Sequence, residues 1–159
     1  MLKAAYLPLC TKFLPGYPIT HIGFNISYAR QFLKVPGVCF NMFQKTMVGP
    51  RGNAFLRDVR KSKRSIFFWT VNDEEWMKWS IYKEVDGIIT DDPKKYLEVC
   101  RDYEGEKVHL PWKFLGSVVW MNMLAGLFYV LFGLRHGFRV KVGKAKKSID
   151  GSSKARPPT

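Results

Sequence analysis

The chain has 159 residues, a formal net charge of +13 and three cysteines. The length suits one domain of ordinary size with a tail. It is too short for a complete (β/α)8 barrel, which needs about 250 residues. The high charge does not indicate nucleic-acid binding, since no nucleic-acid-binding motif is recognised and the densest basic cluster directly follows an apolar run. Cys10, Cys39 and Cys100 lie far apart, which argues against a zinc site and favours free thiols in a reducing compartment.

The first part of the chain predicts helices that alternate with short strands. The predicted elements are a helix at residues 3–12, a strand at 19–25, a helix at 28–33 capped by Ser27, a strand at 38–42 after the Pro36-Gly37 turn, a loop at 48–52 and a helix at 54–62. Glycine and proline separate these elements, as they do at turns.

A strand and a helix are predicted at residues 66–83. Ile66 to Val71 is an apolar, β-branched and aromatic run, which is typical of a strand buried on both faces of a parallel sheet. Asp73 is a good N-cap residue for the amphipathic segment at residues 74–83.

A second strand and helix follow directly. Residues 88–90 form a short apolar strand that is preceded by Gly87. Asp92 and Pro93 then predict the N-cap and the first position of a helix at residues 94–100, because proline needs no amide partner there.

Strands that recur with helices between them predict right-handed βαβ crossovers and a parallel sheet. Four strands are counted, which is half the number in a closed barrel. The predicted fold class is therefore α/β, an incomplete (β/α) TIM-type barrel of four units at residues 1–104. A linker at 105–113, a membrane helix and a basic tail are expected to follow. We expect the chain to be one part of a barrel, with the first half absent.

Two motifs carry a resemblance to a known family. WTVND at residues 69–73 and VDGIITDDP at 85–93 are similar to the closing two βα units of the glycerophosphodiester phosphodiesterase family. Ile19 to Phe24 and Phe40 to Met42 resemble the two units before them. The sequence of these motifs most resembles the fungal phosphatidylglycerol-cleaving phospholipase C branch of the family, which also carries a hydrophobic C-terminal segment. The resemblance covers residues 5–100 and implies hydrolysis of a glycerophospholipid phosphodiester, with phosphatidylglycerol as the favoured substrate.

The resemblance also implies metal-assisted acid–base catalysis. In the family, a His-Arg-Gly turn supplies a general acid or base, and carboxylates from early strands hold magnesium or calcium. These positions are not found in this sequence, so we expect the chain to bind no cofactor and to be catalytically inert alone. Arg135-His136-Gly137 has the same residue types in another order and is interpreted as a membrane flank. His21, placed near a strand start, and His109 are interpreted as structural or solvated.

Three residues are candidates for a substrate pocket. Trp69 and Asn72 lie toward the C-terminal end of the third strand, where barrel enzymes bind substrate, and Asn41 ends the second strand. An indole can form the wall of a glycerol pocket, and an amide can donate to a phosphate oxygen. The alternatives are that Trp69 is core packing and that Asn72 is a turn residue. No catalytic or metal-binding residue is predicted, and Asp91 and Asp92 are interpreted as a strand end and an N-cap.

Phe114 to Gly133 is a run of twenty residues without a charge, flanked by Lys113 and Arg135. At 1.5 Å per residue it matches the hydrocarbon thickness of about 30 Å. It predicts a transmembrane or membrane-inserted helix, and the alternative is a buried core helix. Flanking charge favours a cytosolic C-terminal tail, whereas free cysteines favour a cytosolic N-terminal part. A shallow insertion that does not span the membrane satisfies both.

Residues 134–159 hold eight basic side chains against one acidic, and we expect a disordered basic tail there. The expected partners are anionic glycerophospholipid and either a second copy or a protein that completes the barrel, because open parallel edges invite pairing. The expected location is an intracellular membrane: endomembrane, mitochondrial or lipid-droplet surface. The basic residues between 57 and 64 are interpreted as a solvated helix face that can also contact lipid.

Overall fold

The computed structural model describes residues 6–136. The helices are α1 Leu7–Phe13, α2 Ile26–Phe32, α3 Pro50–Lys61, α4 Glu74–Tyr82, α5 Pro93–Asp102 and α6 Leu115–His136. The strands are β1 Ile19–Gly23, β2 Val38–Phe43, β3 Ile66–Trp69 and β4 Gly87–Ile88. Two 3-10 turns, Gln44–Met47 and Trp112–Phe114, follow β2 and precede α6. The first three residues of the expected basic tail, 134–136, belong to α6 instead, and the rest of the tail lies outside the described residues.

The four strands form one parallel sheet in the order β1-β2-β3-β4. Each strand pairs in parallel with the next one along the chain, so Phe40 of β2 lies between His21 of β1 and Ile66 of β3. The prediction of a four-stranded parallel α/β sheet with helical crossovers is confirmed. All four strands end at the same edge of the sheet, called here the carboxyl edge, and begin at the opposite amino edge.

The core lies on one face of the sheet. Phe40 packs against Phe55 of α3 with ring centroids 5.2 Å apart, and Phe68 stacks on Trp79 of α4 at 5.6 Å. The other face, called here the inner face, carries Ile22, Asn41, Phe43, Phe67 and Trp69, whose positions alternate with those of the core. Ile22 is 45% exposed there.

The expectation that residues 66–71 are buried on both faces is therefore wrong. Along β3 the buried residues Ile66 and Phe68 alternate with half-buried Phe67 and Trp69. The described residues cover one face of this strand with helices, and the inner face carries no such layer.

Two helix starts differ from the sequence prediction. Asn25, not Ser27, caps α2, and its side-chain oxygen accepts a hydrogen bond from the Tyr28 amide at 2.9 Å. Helix α3 begins at Pro50, four residues before the predicted start, because Gly49 adopts a φ of 98° and Pro50 occupies the first helical position. The Asp92 cap of α5 is confirmed, since its carboxylate accepts from the Lys95 amide at 3.0 Å.

The basic run at residues 57–64 is not uniformly a solvated helix face, as the sequence suggested. The Arg64 guanidinium donates to the carbonyls of Val35 and Val38, and the Val38 distance is 3.1 Å. Arg60 donates to the Lys83 carbonyl and pairs with Glu84. The two arginines tie together the loops that precede the strands, so they stabilise the amino edge.

Helix α6 is the longest element. Among the described residues it belongs to one segment, Trp112–Arg135, that is long and apolar enough to cross a membrane by length and composition alone. Of its most apolar window, 11% is buried against the described residues.

Candidate functional site

Trp69 and Asn41 meet on the inner face, close to the carboxyl edge. The Trp69 indole N–H donates to the Asn41 backbone carbonyl at 3.2 Å, and its ring lies 5.2 Å from that of Phe43. Asn41 is 7% exposed, and its side-chain oxygen has no hydrogen-bond partner among the described residues. This corner thus combines a half-buried aromatic ring with a buried acceptor oxygen that has no partner among the described residues.

Asn72 lies apart from that corner and joins two loops. Its amide donates to the Asp91 carboxylate at 2.6 Å. Its side-chain oxygen accepts from the Thr90 hydroxyl at 3.1 Å and from the Asp91 amide at 3.0 Å. The loops that follow β3 and β4 are therefore fixed to each other by one side chain. This geometry agrees with the interpretation of Asn72 as a turn residue more than with a free phosphate donor.

Gln44 was not singled out in the sequence, although it follows β2 directly. Its side-chain amide donates to the Thr70 carbonyl at 2.8 Å, so it links the ends of β2 and β3. The residue is 3% exposed, and its side-chain oxygen has no partner in the described part of the chain. A polar residue at the end of an apolar strand was the available signal.

His21 is buried on the face opposite the candidate pocket. It occupies the middle of β1, not its start, and its ring stacks on Phe32 at 4.3 Å. Burial lowers its pKa to about 4, so the imidazole is neutral at physiological pH. Neither ring nitrogen has a hydrogen-bond partner in residues 6–136. The structure therefore agrees with a structural role for this histidine.

The other ionisable candidates stay separate. His109 is exposed in the linker before α6, and the Arg135-His136-Gly137 sequence runs out of the described residues. Within residues 6–136, no three His, Cys, Asp or Glu side chains come together as metal ligands would. Asp91 and Asp92 are engaged with Asn72 and with the first turn of α5. The described residues do not fit a divalent cation.

Helix α6 crosses the carboxyl edge from β3 toward β1. At its start, Lys113 pairs with Glu75 at 2.8 Å, and Phe114 lies 5.4 Å from the Trp76 ring. The hydrogen bond from Lys113 lowers the pKa of the Glu75 carboxyl. Both Glu75 and Trp76 belong to the first turn of α4, which follows β3.

The middle and the far part of α6 reach the ends of β2 and β1. The Asn122 amide donates to the Lys45 carbonyl at 3.3 Å, in the turn after β2. The Asn25 amide, after β1, donates to the Ala125 carbonyl at 3.0 Å, and Phe24 meets Phe128 edge-on. The helix therefore contacts the ends of three strands, at the edge where barrel enzymes bind substrate.

A comparison with protein families gives one match. The model of the glycerophosphoryl diester phosphodiesterase family matches residues 2–95, which include all four strands. No curated protein matches the chain significantly. The matched region holds Trp69, Asn41 and Asn72, and α6 lies beyond it.

Proposed function

Because the chain belongs to the glycerophosphoryl diester phosphodiesterase family, we propose that it is a membrane-attached part of a phosphoric diester hydrolase. The family indicates phosphodiester hydrolysis as the chemistry. The substrate we favour is an anionic glycerophospholipid, with phosphatidylglycerol first. In this proposal, residues at the carboxyl edge form a wall of the substrate pocket, and α6 attaches the chain to an intracellular membrane.

The observation that carries the proposal is the position of α6. A long apolar helix lies at the edge of the sheet where this fold binds substrate. The other edge carries Arg60 and Arg64. A lipid-cleaving protein needs its substrate edge near the lipid headgroups, and the exposed apolar surface of α6 at this edge supports such an orientation.

Trp69 and Asn41 are the residues we propose for headgroup binding. The half-buried Trp69 ring can pack against the carbon skeleton of a glycerol. The Asn41 oxygen is buried and unpartnered, and a rotation of its side chain toward the inner face would let it accept from a glycerol hydroxyl and remove the cost of an unsatisfied acceptor. Asn72 is proposed to hold the neighbouring loops in place.

The chain by itself is proposed to bind the headgroup without cleaving it. Hydrolysis needs groups that move protons close to the phosphate. Neutral His21 packs in the core on the opposite face, and Asp91 and Asp92 are engaged in hydrogen bonds. These side chains have structural tasks already, so the proton-transfer groups are expected on another chain segment.

Binding and turnover can be measured separately. The purified chain in mild detergent is titrated with soluble glycerophosphoglycerol, and hydrolysis is followed with added magnesium or calcium. We expect binding that Trp69→Ala weakens at least tenfold and no hydrolysis. Trp112→Ala is the matched control, because Trp112 is 87% exposed beside α6 and outside the pocket. Clear hydrolysis would contradict the proposal that the chain alone is inert. An equal loss of binding affinity in both variants would contradict the proposed pocket at Trp69.

A non-catalytic binding or regulatory fragment is the second candidate function. Its support is the inner face, where Ile22 is 45% exposed, together with 49% exposed Ile89 after β4. In the described residues, β1 and β4 each pair on one side only, so both edges offer free backbone groups. A second copy or a barrel-completing protein would cover them. Size-exclusion chromatography with light scattering in mild detergent tests this, and a monodisperse monomer argues against pairing between copies.

A further inference from the structure

We propose that α6 stays attached to the carboxyl edge when the protein is on a membrane, and that its outer face inserts into the surface of one anionic leaflet. The helix then lies along the bilayer plane and presses the carboxyl edge against the headgroup layer. The inference rests on the membrane attachment in the proposed function. It adds which surface of the domain faces the lipid and how the helix is oriented.

The first step is that one stripe of α6 already packs against the rest of the domain. Val118 and Ala125, seven residues apart, are 7% and 6% exposed against the rest of the chain. A spacing of seven residues returns to the same side of a helix after two turns. Three polar contacts accompany this stripe: Lys113 with Glu75, Asn122 with the Lys45 carbonyl, and Asn25 with the Ala125 carbonyl.

The second step is that another stripe is apolar and uncovered. Five of its residues are spaced three or four apart and are each about half exposed or more: Val119 51%, Met123 64%, Leu127 54%, Val130 48% and Leu134 74%. No charged residue lies between Leu115 and Leu134. A contiguous exposed apolar stripe that is bounded by polar residues is typical of a protein–protein or membrane interaction surface.

The third step identifies the occupant of this face as an anionic bilayer surface. Arg135 stands at the far end of the helix, Lys113 pairs with Glu75 at its start, and Trp112 and Trp120 are 87% and 61% exposed. Cations beside an apolar stripe are attracted to anionic headgroups, and tryptophan prefers the interface. A second copy would bring the same cations together, which disfavours it.

The fourth step excludes a spanning position for the docked helix. The Lys113–Glu75 ion pair is at the start of α6, and Asn25 contacts it about 18 Å further along, at 1.5 Å per residue. A helix that crossed the hydrocarbon would have to give up these contacts or carry charged groups into lipid. A helix in the interface plane buries its apolar face about 5–10 Å deep and keeps them.

Hydrogen exchange on vesicles tests the surface. The full chain is bound to phosphatidylglycerol vesicles and compared with the chain in mild detergent. We expect slower amide exchange at the carboxyl-edge loops, residues 24–26 and 44–48. No change is expected at the amino-edge loops, residues 34–37 and 62–65. An equal change in amide exchange in both sets of loops would overturn the inference. A domain joined to the membrane only by a flexible linker would not protect the carboxyl edge selectively.

A depth measurement tests the orientation. Single cysteines replace Val119, Met123, Leu127, Val130 and Leu134 in turn, in a chain whose native cysteines are serine and whose vesicle binding is unchanged. Spin labels at all five positions should report the same shallow depth. A spanning helix would instead spread the first and last labels over about 22 Å of depth.

Charge insertion gives the matched control. Met123→Glu is expected to weaken vesicle flotation at least tenfold, whereas Leu97→Glu, at an equally exposed site on α5, is expected to leave it unchanged. No flotation of the unmodified chain would overturn membrane attachment and this inference together. Flotation with graded label depths would overturn the in-plane orientation alone. Spin–spin broadening of labels that do not contact lipid would overturn the inference, because it would show that a second copy of the chain covers the apolar stripe.

Discussion

The side-chain amide of Asn25 donates to the backbone carbonyl of Ala125, one hundred residues later, at 3.0 Å. The same side chain caps α2 through the Tyr28 amide at 2.9 Å. One asparagine therefore joins the end of the first strand, the start of the following helix and the apolar helix α6.

The two roles of Asn25 are separable by substitution. Asn25→Asp keeps the acceptor for the Tyr28 amide and removes the donor to Ala125, whereas Asn25→Ala removes both. Loss of a helix cap costs about 1 kcal/mol. We therefore expect Asn25→Ala to unfold at a lower temperature than Asn25→Asp in mild detergent. Both variants lose the hydrogen bond to Ala125, so maleimide should label a cysteine at position 125 faster in each. Equal melting temperatures of the two variants would contradict the assignment of Asn25 as the cap.

Acid should destabilise the protein through His21. Its folded-state pKa, about 4, lies below the unfolded value of 6.5, so folding favours the neutral ring. The stability is fully present above pH 6.5 and is lost as the pH falls toward 4, where the unfolded state binds the extra proton. The loss is about 3 kcal/mol from the shift. His21→Met should flatten the pH dependence of the urea midpoint between pH 7 and pH 4.5, and an unchanged slope would contradict the assignment.

Gly52 is required for the approach of α3 to the turn after β2. A Cβ atom at this position would lie 1.7 Å from the Met47 carbonyl oxygen. We expect Gly52→Ala to lower the free energy of unfolding by about 3 kcal/mol, because a backbone atom must move. Gly126→Ala on α6 is the control, since nothing lies within 4 Å of its Cβ position. That change should be neutral or slightly stabilising in a helix.

The Asn72 contacts should be visible in hydrogen exchange. Asn72→Ala removes the acceptor for the Asp91 amide and the tie to Thr90. We expect faster exchange at residues 90–92 and a stability loss of about 1 kcal/mol, because the site is exposed. Asp92→Ala instead frees the Lys95 amide and should leave the Asp91 amide protected. Unchanged exchange at Asp91 in Asn72→Ala would show that the loops are held by other contacts.

The sheet was predictable because its signals are local. Apolar runs bounded by Gly and Pro mark the strands, and Asp92 with Pro93 marks the start of α5 within a few residues. The start of α3 was missed because Gly49-Pro50 reads equally as loop punctuation. The choice between Asn25 and Ser27 as the cap of α2 depends on backbone angles that composition does not specify.

The candidate site was predictable only in part. Trp69 and Asn41 were placed near the same sheet end by strand position, but their contact depends on the register between β2 and β3. Gln44 was not predicted as a site residue because its hydrogen bond to the Thr70 carbonyl joins two loops that are distant in the sequence. The course of α6 over the strand ends rests on contacts between residues up to one hundred positions apart, for which a single sequence carries no periodic signal.

The opposite placement of α6 and the charged amino edge makes the two sides of the molecule addressable by antibodies. An epitope inserted at Gly37, a turn with open space around it, projects from the amino edge. An epitope inserted at Gly49 follows the turn that α6 contacts. Antibodies to the first should recognise vesicle-bound and free protein alike. Antibodies to the second should recognise the free protein alone, which would let the two populations be counted in a cell extract.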